Sequence, residues 1–229
     1  MSRSEYRIET YHDFTKPETA QAQKDALADV RSRFGRTHDL LIGGRREKGD
    51  SGTFTSTNPA DTREVIGTFQ MASAEQARKA LTAAWTAFET WRYVPASIRA
   101  DILFRAADIA RRRRMEINAW MISEAGKNYL EADADTCEGI DFLEFYAHEA
   151  LRYDQGMKVL DSWGDLNRTQ YIPLGAGVSI SPWNFPFAIT LGMAAAPIVA
   201  GNTVVAKPSP DTPMMAQVIS EIFEEAGLP

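Results

Sequence analysis

Two periodicities alternate along this chain, a two-residue alternation that marks strands and a 3.6-residue stripe that marks helices. The first 38 residues are polar and turn-rich and read as an N-terminal arm, with Lys16-Pro17-Glu18-Thr19 offering a helix start ahead of Ala20 to Phe34. His38 to Ile42 then runs into Gly43-Gly44, a pair suited to the positive backbone angles of a tight hairpin turn. Thr53 to Thr57 and Glu64 to Phe69 read as short strands on either side of the turn Asn58-Pro59-Ala60-Asp61.

From Ser73 the period lengthens. Ser73 and Gln76 match a capping box, in which the serine hydroxyl accepts from one orphan backbone amide and the glutamine side chain returns to another. Ala77, Ala80, Leu81, Ala84, Trp85 and Phe88 follow on one helical face and are expected in the core. A second long helix begins near Ser97 and carries Ile98, Ile102, Leu103, Ala106, Ile109 and Ala110, with a continuation expected through Ile117, Trp120 and Met121. The third, Leu130 to Arg152, has two apolar faces. Cys137, Ile140, Leu143, Ala147 and Ala150 make one, and Phe142 and Phe145 share the other with Glu138 and Glu149. A helix apolar on both sides is sandwiched between neighbours. Glu138 then has two readings, an exposed surface glutamate or a carboxylate at the rim of a partly apolar cavity, held for a cationic ligand group.

Gly156 to Leu160 and Arg168 to Ile172 flank a polar turn around Asp165 and Asn167 and read as a long hairpin over 155–173. Gly175 and Gly177 precede a strand, whereas a dinucleotide fingerprint needs its glycines after one, so they read as a turn. Val178 to Trp183, the apolar helix Phe187 to Ala200, and Gly201 to Ser209 then spell strand, turn, helix and strand. Such a unit builds a parallel sheet, so the fold class is α/β, and ligands of these sheets bind outside the carboxyl ends of the strands. Asn184 and Lys207 stand at those two ends and can reach a common crevice.

Composition narrows the function classes. With 229 residues, 44% hydrophobic and 24% charged, the chain is ordinary for a soluble globular protein of one or two domains. A net charge of −6 argues against a nucleic-acid partner, which needs clustered positive charge to release counterions. The one basic block, Arg111 to Arg114, lies inside a helical pattern and reads as a solvated face. No apolar run reaches the roughly 18 residues that span a bilayer. The start from Met1 to Arg7 lacks the apolar core of a secretory signal, so a cytoplasmic protein without a membrane partner is expected. The single cysteine, Cys137, lies mid-helix with no histidine nearby and reads as a buried structural thiol. His12, His38 and His148 show neither metal spacing nor a serine–histidine constellation, so no metal is expected.

Pro182-Trp183-Asn184-Phe185-Pro186 and Gly201-Asn202-Thr203-Val204-Val205-Ala206-Lys207-Pro208, in register with each other, resemble the aldehyde dehydrogenase superfamily. Glu124-Ala125-Gly126-Lys127-Asn128-Tyr129, followed by Glu131 to Asp135 and Glu138 to Ala147, is similar to its branch acting on L-glutamate γ-semialdehyde, and the resemblance runs from Leu40 onward. It implies an aldehyde dehydrogenase-like fold with a Rossmann-like NAD(P)-binding domain, present in part as residues 39–154 and 174–229. The hairpin at 155–173 would protrude and join the subunits of a homo-oligomer. The catalytic domain, with its nucleophilic cysteine and general-base glutamate, would be absent from this chain. Family members are roughly twice this long, as suits a two-domain enzyme. This chain is therefore expected to be a front half, inactive alone.

The resemblance also implies roles for residues. The asparagine of Pro-Trp-Asn-Phe-Pro, here Asn184, donates to the oxygen of a thiohemiacetal and of the later thioester; the competing reading of Asn184 is a helix N-cap. Lys207 and Ser209 are implied in adenosine-ribose binding, with the Ile180-Ser181-Pro182-Trp183 segment lining the nicotinamide side. Many NAD-preferring relatives carry a glutamate three positions after the lysine. Pro210 stands here, followed by Asp211, so the expected cofactor is NAD with NADP tolerated. Glu138 is the candidate for the α-ammonium of the substrate and Phe185 for its aliphatic part. The expected function is NAD(P)-linked oxidation of L-glutamate γ-semialdehyde to L-glutamate. Succinate semialdehyde is the alternative substrate, and a non-catalytic cofactor-binding or scaffold relative the alternative function.

Overall fold

A computed structural model describes residues 5–229; residues 1–4, the tip of the expected arm, lie outside the described residues. Pro17, whose missing N–H is no loss in a first turn, starts helix α1 (Pro17–Ser32), and this helix packs on α4 (Arg114–Ala125). Strand β1 (Arg36–His38) pairs in parallel with β5 (Asp61–Gln70), which pairs antiparallel with β4 (Thr53–Asn58). The expected arm is thus built into the fold through one helix and one strand. Gly43 and Gly44 take φ of 57° and 74° and close β2 (Leu40–Ile42) onto β3 (Arg45–Glu47), because two left-handed residues match the twist of a two-strand ribbon.

Helix α2 (Ala74–Trp91) opens with the expected capping box: the Gln76 N–H donates to Ser73 Oγ at 3.2 Å and the Ser73 N–H to Gln76 Oε1 at 3.1 Å. Its stripe is only partly core, since Phe88 is buried whereas Leu81 and Trp85 stay 36% and 49% exposed. The helix rests on β6 (Ala176–Ile180) and β7 (Thr203–Lys207), and these short strands cover only part of that face.

The single long helix expected from Ser97 is two, α3 (Ala96–Arg112) and α4, parted at Arg113, whose φ and ψ of −94° and 9° leave the helical range. That break also overturns the reading of a solvated face for Arg111, Arg113 and Arg114, whereas Arg112 is exposed as expected. Arg111 pairs with Glu9, Asp108 and Glu144, and Arg113 with Glu116 and Glu221, while Arg114 is buried against Asp133. Straddling two helices, the guanidiniums point to different sides, where carboxylates from several elements meet them.

Helix α5 (Tyr129–Asp154) is sandwiched as expected, with α3 and α4 on one side and α6 (Ala188–Val199) on the other. Glycine makes the second contact possible: a Cβ on Gly139 would lie 2.6 Å from the Phe187 ring, and one on Gly192 would lie 2.7 Å from the Phe142 ring. The core around α5 includes Leu103, Ile117, Met121, Ile140, Leu143 and Leu191.

Strands β6 and β7 pair in parallel across α6, and α7 (Pro213–Ala226) follows. Gly177 lies within β6 instead of in a turn, because the Thr203 N–H donates to the Gly175 carbonyl and so starts the ladder ahead of it. The 155–173 segment doubles back, bringing Tyr153 against Tyr171, but its one bridge is Ser162–Asp165 and no strand ladder forms. Leu160, Trp163 and Leu166 on it are almost fully exposed. No helix among the described residues is long and apolar enough to cross a membrane, and no metal-holding cluster of His, Cys, Asp or Glu occurs among them.

Candidate functional site

The two strand ends meet as the sequence implies. Ile180 stands opposite Lys207 in the ladder, and the Ser181 N–H donates to the Lys207 carbonyl at 3.3 Å. Pro182 then ends the pairing, since it has no N–H to donate. The chain turns through Trp183, Asn184 and Phe185 before Phe187 opens α6.

Asn184 is not the cap of that helix. The N-cap position is Phe187, and the Ala188 N–H is met from outside the segment by Asp135 Oδ1, at 2.7 Å. A carboxylate from α5 therefore does the capping that a local asparagine would do elsewhere. Asn184 is exposed and has no hydrogen bond among the described residues, so both amide donors are free.

Lys207 is exposed as well, and Nζ donates to the adjoining Pro208 carbonyl at 3.0 Å. An ammonium has three donors, so the rest are available to a ligand. Ile180 and Trp183 present apolar surface beside it, 63% and 56% exposed. Two serines behave differently from Lys207. Ser181 Oγ is buried and accepts from Thr190 Oγ1 at 2.8 Å, tying the strand end to α6, so only its backbone faces the mouth. Ser209 is buried too: its hydroxyl donates to Asp211 Oδ2 and accepts from the Asp211 N–H, both at 3.3 Å.

The substrate candidates lie on the other side of the turn. Lys127 Nζ sits 4.2 Å from the centroid of the Phe185 ring and donates to Asp135 Oδ2 at 2.8 Å. Glu138, one turn further along α5, is half-buried with no hydrogen bond among the described residues. Burial and then the nearby Asp135 push its carboxyl above the ordinary range, and the Lys127 charge opposes them. Phe185 is thus brought against Lys127, whose charge also acts on Glu138, and along the chain Asn184 lies between the end of β6 and Phe185.

Sequence reasoning assigned no role to three groups here. Lys127 precedes the Asn128–Glu131 capping box that starts α5. Asp135 shares a helical face with Ala132, Gly139 and Phe142, and a carboxylate among small and apolar residues was its signal. Glu124, fully enclosed, accepts from Ser56 Oγ at 2.7 Å and from the Met214 N–H at 3.0 Å, and burial pushes its carboxyl up to about 8. It borders a cleft of about 320 Å³ that Trp183 and Asp211 also line. Cys137 is no nucleophile: burial pushes its thiol up to about 12 in spite of the Arg114 charge.

Comparison with known proteins fits this geometry. The profile of the aldehyde dehydrogenase family matches residues 46–229. The 1-pyrroline-5-carboxylate dehydrogenase of Geobacillus thermodenitrificans is 49% identical over 98% of this chain and 43% of its own length. A crystal structure of 1-pyrroline-5-carboxylate dehydrogenase from Thermus with bound NAD superposes with a TM-score of 0.96 at 43% identity, over 100% of this chain and 44% of that one. The Mycobacterium tuberculosis Δ-pyrroline-5-carboxylate dehydrogenase bound with NAD gives 0.91 at 30% identity, over 100% of this chain and 43% of that one. This chain therefore spans less than half the length of the relatives it matches.

Proposed function

The chain belongs to the aldehyde dehydrogenase family, and from that premise we propose that the whole enzyme oxidises L-glutamate γ-semialdehyde to L-glutamate with a nicotinamide dinucleotide. The observation that carries this is the free amide of Asn184, in the turn that leads from the strand end opposite Lys207 to Phe185, whose ring Lys127 meets. The mouth fits a dinucleotide: spare ammonium donors suit ribose hydroxyls or phosphate, and exposed Ile180 and Trp183 offer apolar surface for rings. Lys207 and the backbone from Ile180 to Trp183 would hold it, with Ser209 shaping the loop through Asp211. A bound nicotinamide dinucleotide supplies the hydride acceptor. NAD is the proposed cofactor, with NADP also used, because Pro210 carries no charge to repel a 2′-phosphate and Asp211 is engaged with Ser209.

On this reading Asn184 stabilises negative charge growing on the aldehyde oxygen, a gain realised only in the transition state. Glu138, which makes no hydrogen bond among the described residues, receives the α-ammonium, and Phe185 walls the aliphatic part. The exposed apolar residues of 155–173 are covered by a second subunit in a homo-oligomer. The 229-residue chain alone has no turnover, since its one cysteine is a buried thiol; NADH formation that disappears in Cys137→Ala would overturn this.

The deciding assay uses the full-length protein with L-glutamate γ-semialdehyde and succinate semialdehyde. The amino-bearing substrate should be preferred, and Glu138→Gln should weaken its kcat/KM selectively by about 1–3 kcal/mol, the cost of a polar group losing its partner. Equal losses on both substrates would remove Glu138 from the pocket, and preference for succinate semialdehyde would replace the proposed substrate.

A further inference from the structure

Lys127 has a role to explain. Its side chain is only 10% exposed, and a lysine so enclosed keeps its charge only where a partner meets it. Asp135, fully buried, is that partner, and its second oxygen takes the first amide of α6. One carboxylate therefore joins the loop after α4 to the start of α6. The ammonium it holds lies within cation–π range of Phe185, three residues before Ala188. The turn Asn184-Phe185-Pro186 is consequently anchored at both ends: at its strand end by the Ser181–Lys207 ladder bond, and at its helix end by Asp135 and Lys127 together.

Resting on the proposed function, we propose that Lys127 and Asp135 are positioning residues: Asp135 fixes the first turn of α6 and the lysine, and Lys127 fixes the Phe185 ring, so that the adjacent Asn184 amide and the Phe185 wall keep their places relative to the substrate. Neither residue touches reacting atoms. The effect of Lys127 passes through Phe185, which makes the idea separable from a general loss of stability. Glu138 and Asp135 on α5 are the acidic groups whose charge acts with that of Lys127.

The test is a double-mutant cycle in the full-length protein, comparing Lys127→Met, Phe185→Leu and the double variant. Lys127→Met should lower kcat/KM for the semialdehyde about tenfold while cofactor affinity stays within about twofold, as expected when only orientation is lost. Lys127→Arg, which keeps a cation over the ring, should recover most of that loss. Asp135→Asn, which keeps an acceptor for the Ala188 amide but drops the charge, should resemble Lys127→Met. In the Phe185→Leu background, Lys127→Met should cost less than about twofold, because the ring it acts through is gone. Fully additive losses, or cofactor affinity falling in step with turnover, would overturn the proposal. Should the wild-type protein fail to oxidise the semialdehyde, the functional reading falls by itself. The same cycle read by urea unfolding then decides the pair: coupled midpoints uphold the Lys127–Phe185 contact, and additive ones overturn it.

Discussion

Asp133 and Asp135 lie two residues apart on α5, both fully buried, yet their carboxyls move in opposite directions. Burial pushes both up. At Asp133, which faces α4 and the N-terminal segment, this is outweighed by the Arg114 guanidinium, the His12 backbone N–H at 2.7 Å and Asn118 Nδ2 at 3.0 Å, which bring it down to about 2. At Asp135, which faces α6, Lys127 and the α6 amides only partly offset burial, and the carboxyl remains raised. The same contrast extends outward from each residue. Around Asp133 the polar groups are densely bonded, with Thr136 also donating to Asn118 at 2.6 Å. Beyond Asp135 lie Asn184, Glu138 and most of the Lys207 ammonium, polar groups whose partners the described protein does not supply. Saturated polar groups hold a structure; unsaturated ones at strand ends are where a ligand can complete the set.

Substitutions on the two sides should therefore fail in different assays. Asp133→Ala takes from a buried guanidinium its nearest carboxylate, leaving only Glu9 at 3.7 Å, and should lower the unfolding free energy of the full-length protein by about 3–5 kcal/mol. The stability from Asp133 is complete above the free carboxyl value of 3.8 and is lost as pH falls through the folded value of about 2, so Asp133→Asn should flatten that acid limb. A loss near zero would mean that the node is ornamental. Asn184→Ala should show the reverse signature: turnover down about 100-fold or more, with the unfolding midpoint and cofactor affinity unchanged. Matching losses in stability would move Asn184 to the structural side.

Lys207→Ala should weaken cofactor binding by about 1.5–3 kcal/mol, the worth of a charge-assisted hydrogen bond, and an unchanged dissociation constant would remove it from the site. Glu124 probes the middle ground, enclosed like Asp133 but with no cation beside it. Because its folded value is raised, the native state holds a proton that the unfolded chain releases, so stability should fall as pH rises from 4.5 toward about 8. The slope is at most about 1.4 kcal/mol per pH unit, and Glu124→Gln should abolish it. A flat wild-type profile would show that Glu124 is ionised in place.

Much of this architecture was legible because it depends on neighbours in the chain. Gly43-Gly44, the Ser73–Gln76 box, the two apolar faces of α5 and the strand–helix–strand run from Val178 to Lys207 are local patterns, and each formed. The break at Arg113 was not legible, since neither glycine nor proline marks it. Nor was the exposure of Leu81 and Trp85, because periodicity tells which residues share a face and not whether another element covers it.

The site divides along the same line. By itself the sequence determined which residues stand at the ends of β6 and β7, because backbone pairing and proline placement set Lys207 and the Pro182–Pro186 turn. Only the tertiary structure decided which of them are free. Asn184 was released from capping because Asp135 took the amide of Ala188, 53 positions along the chain from it, and Arg114 was drawn inside by a carboxylate from another helix. A polar side chain takes its role from what meets it, and those partners are assembled only when distant segments pack together.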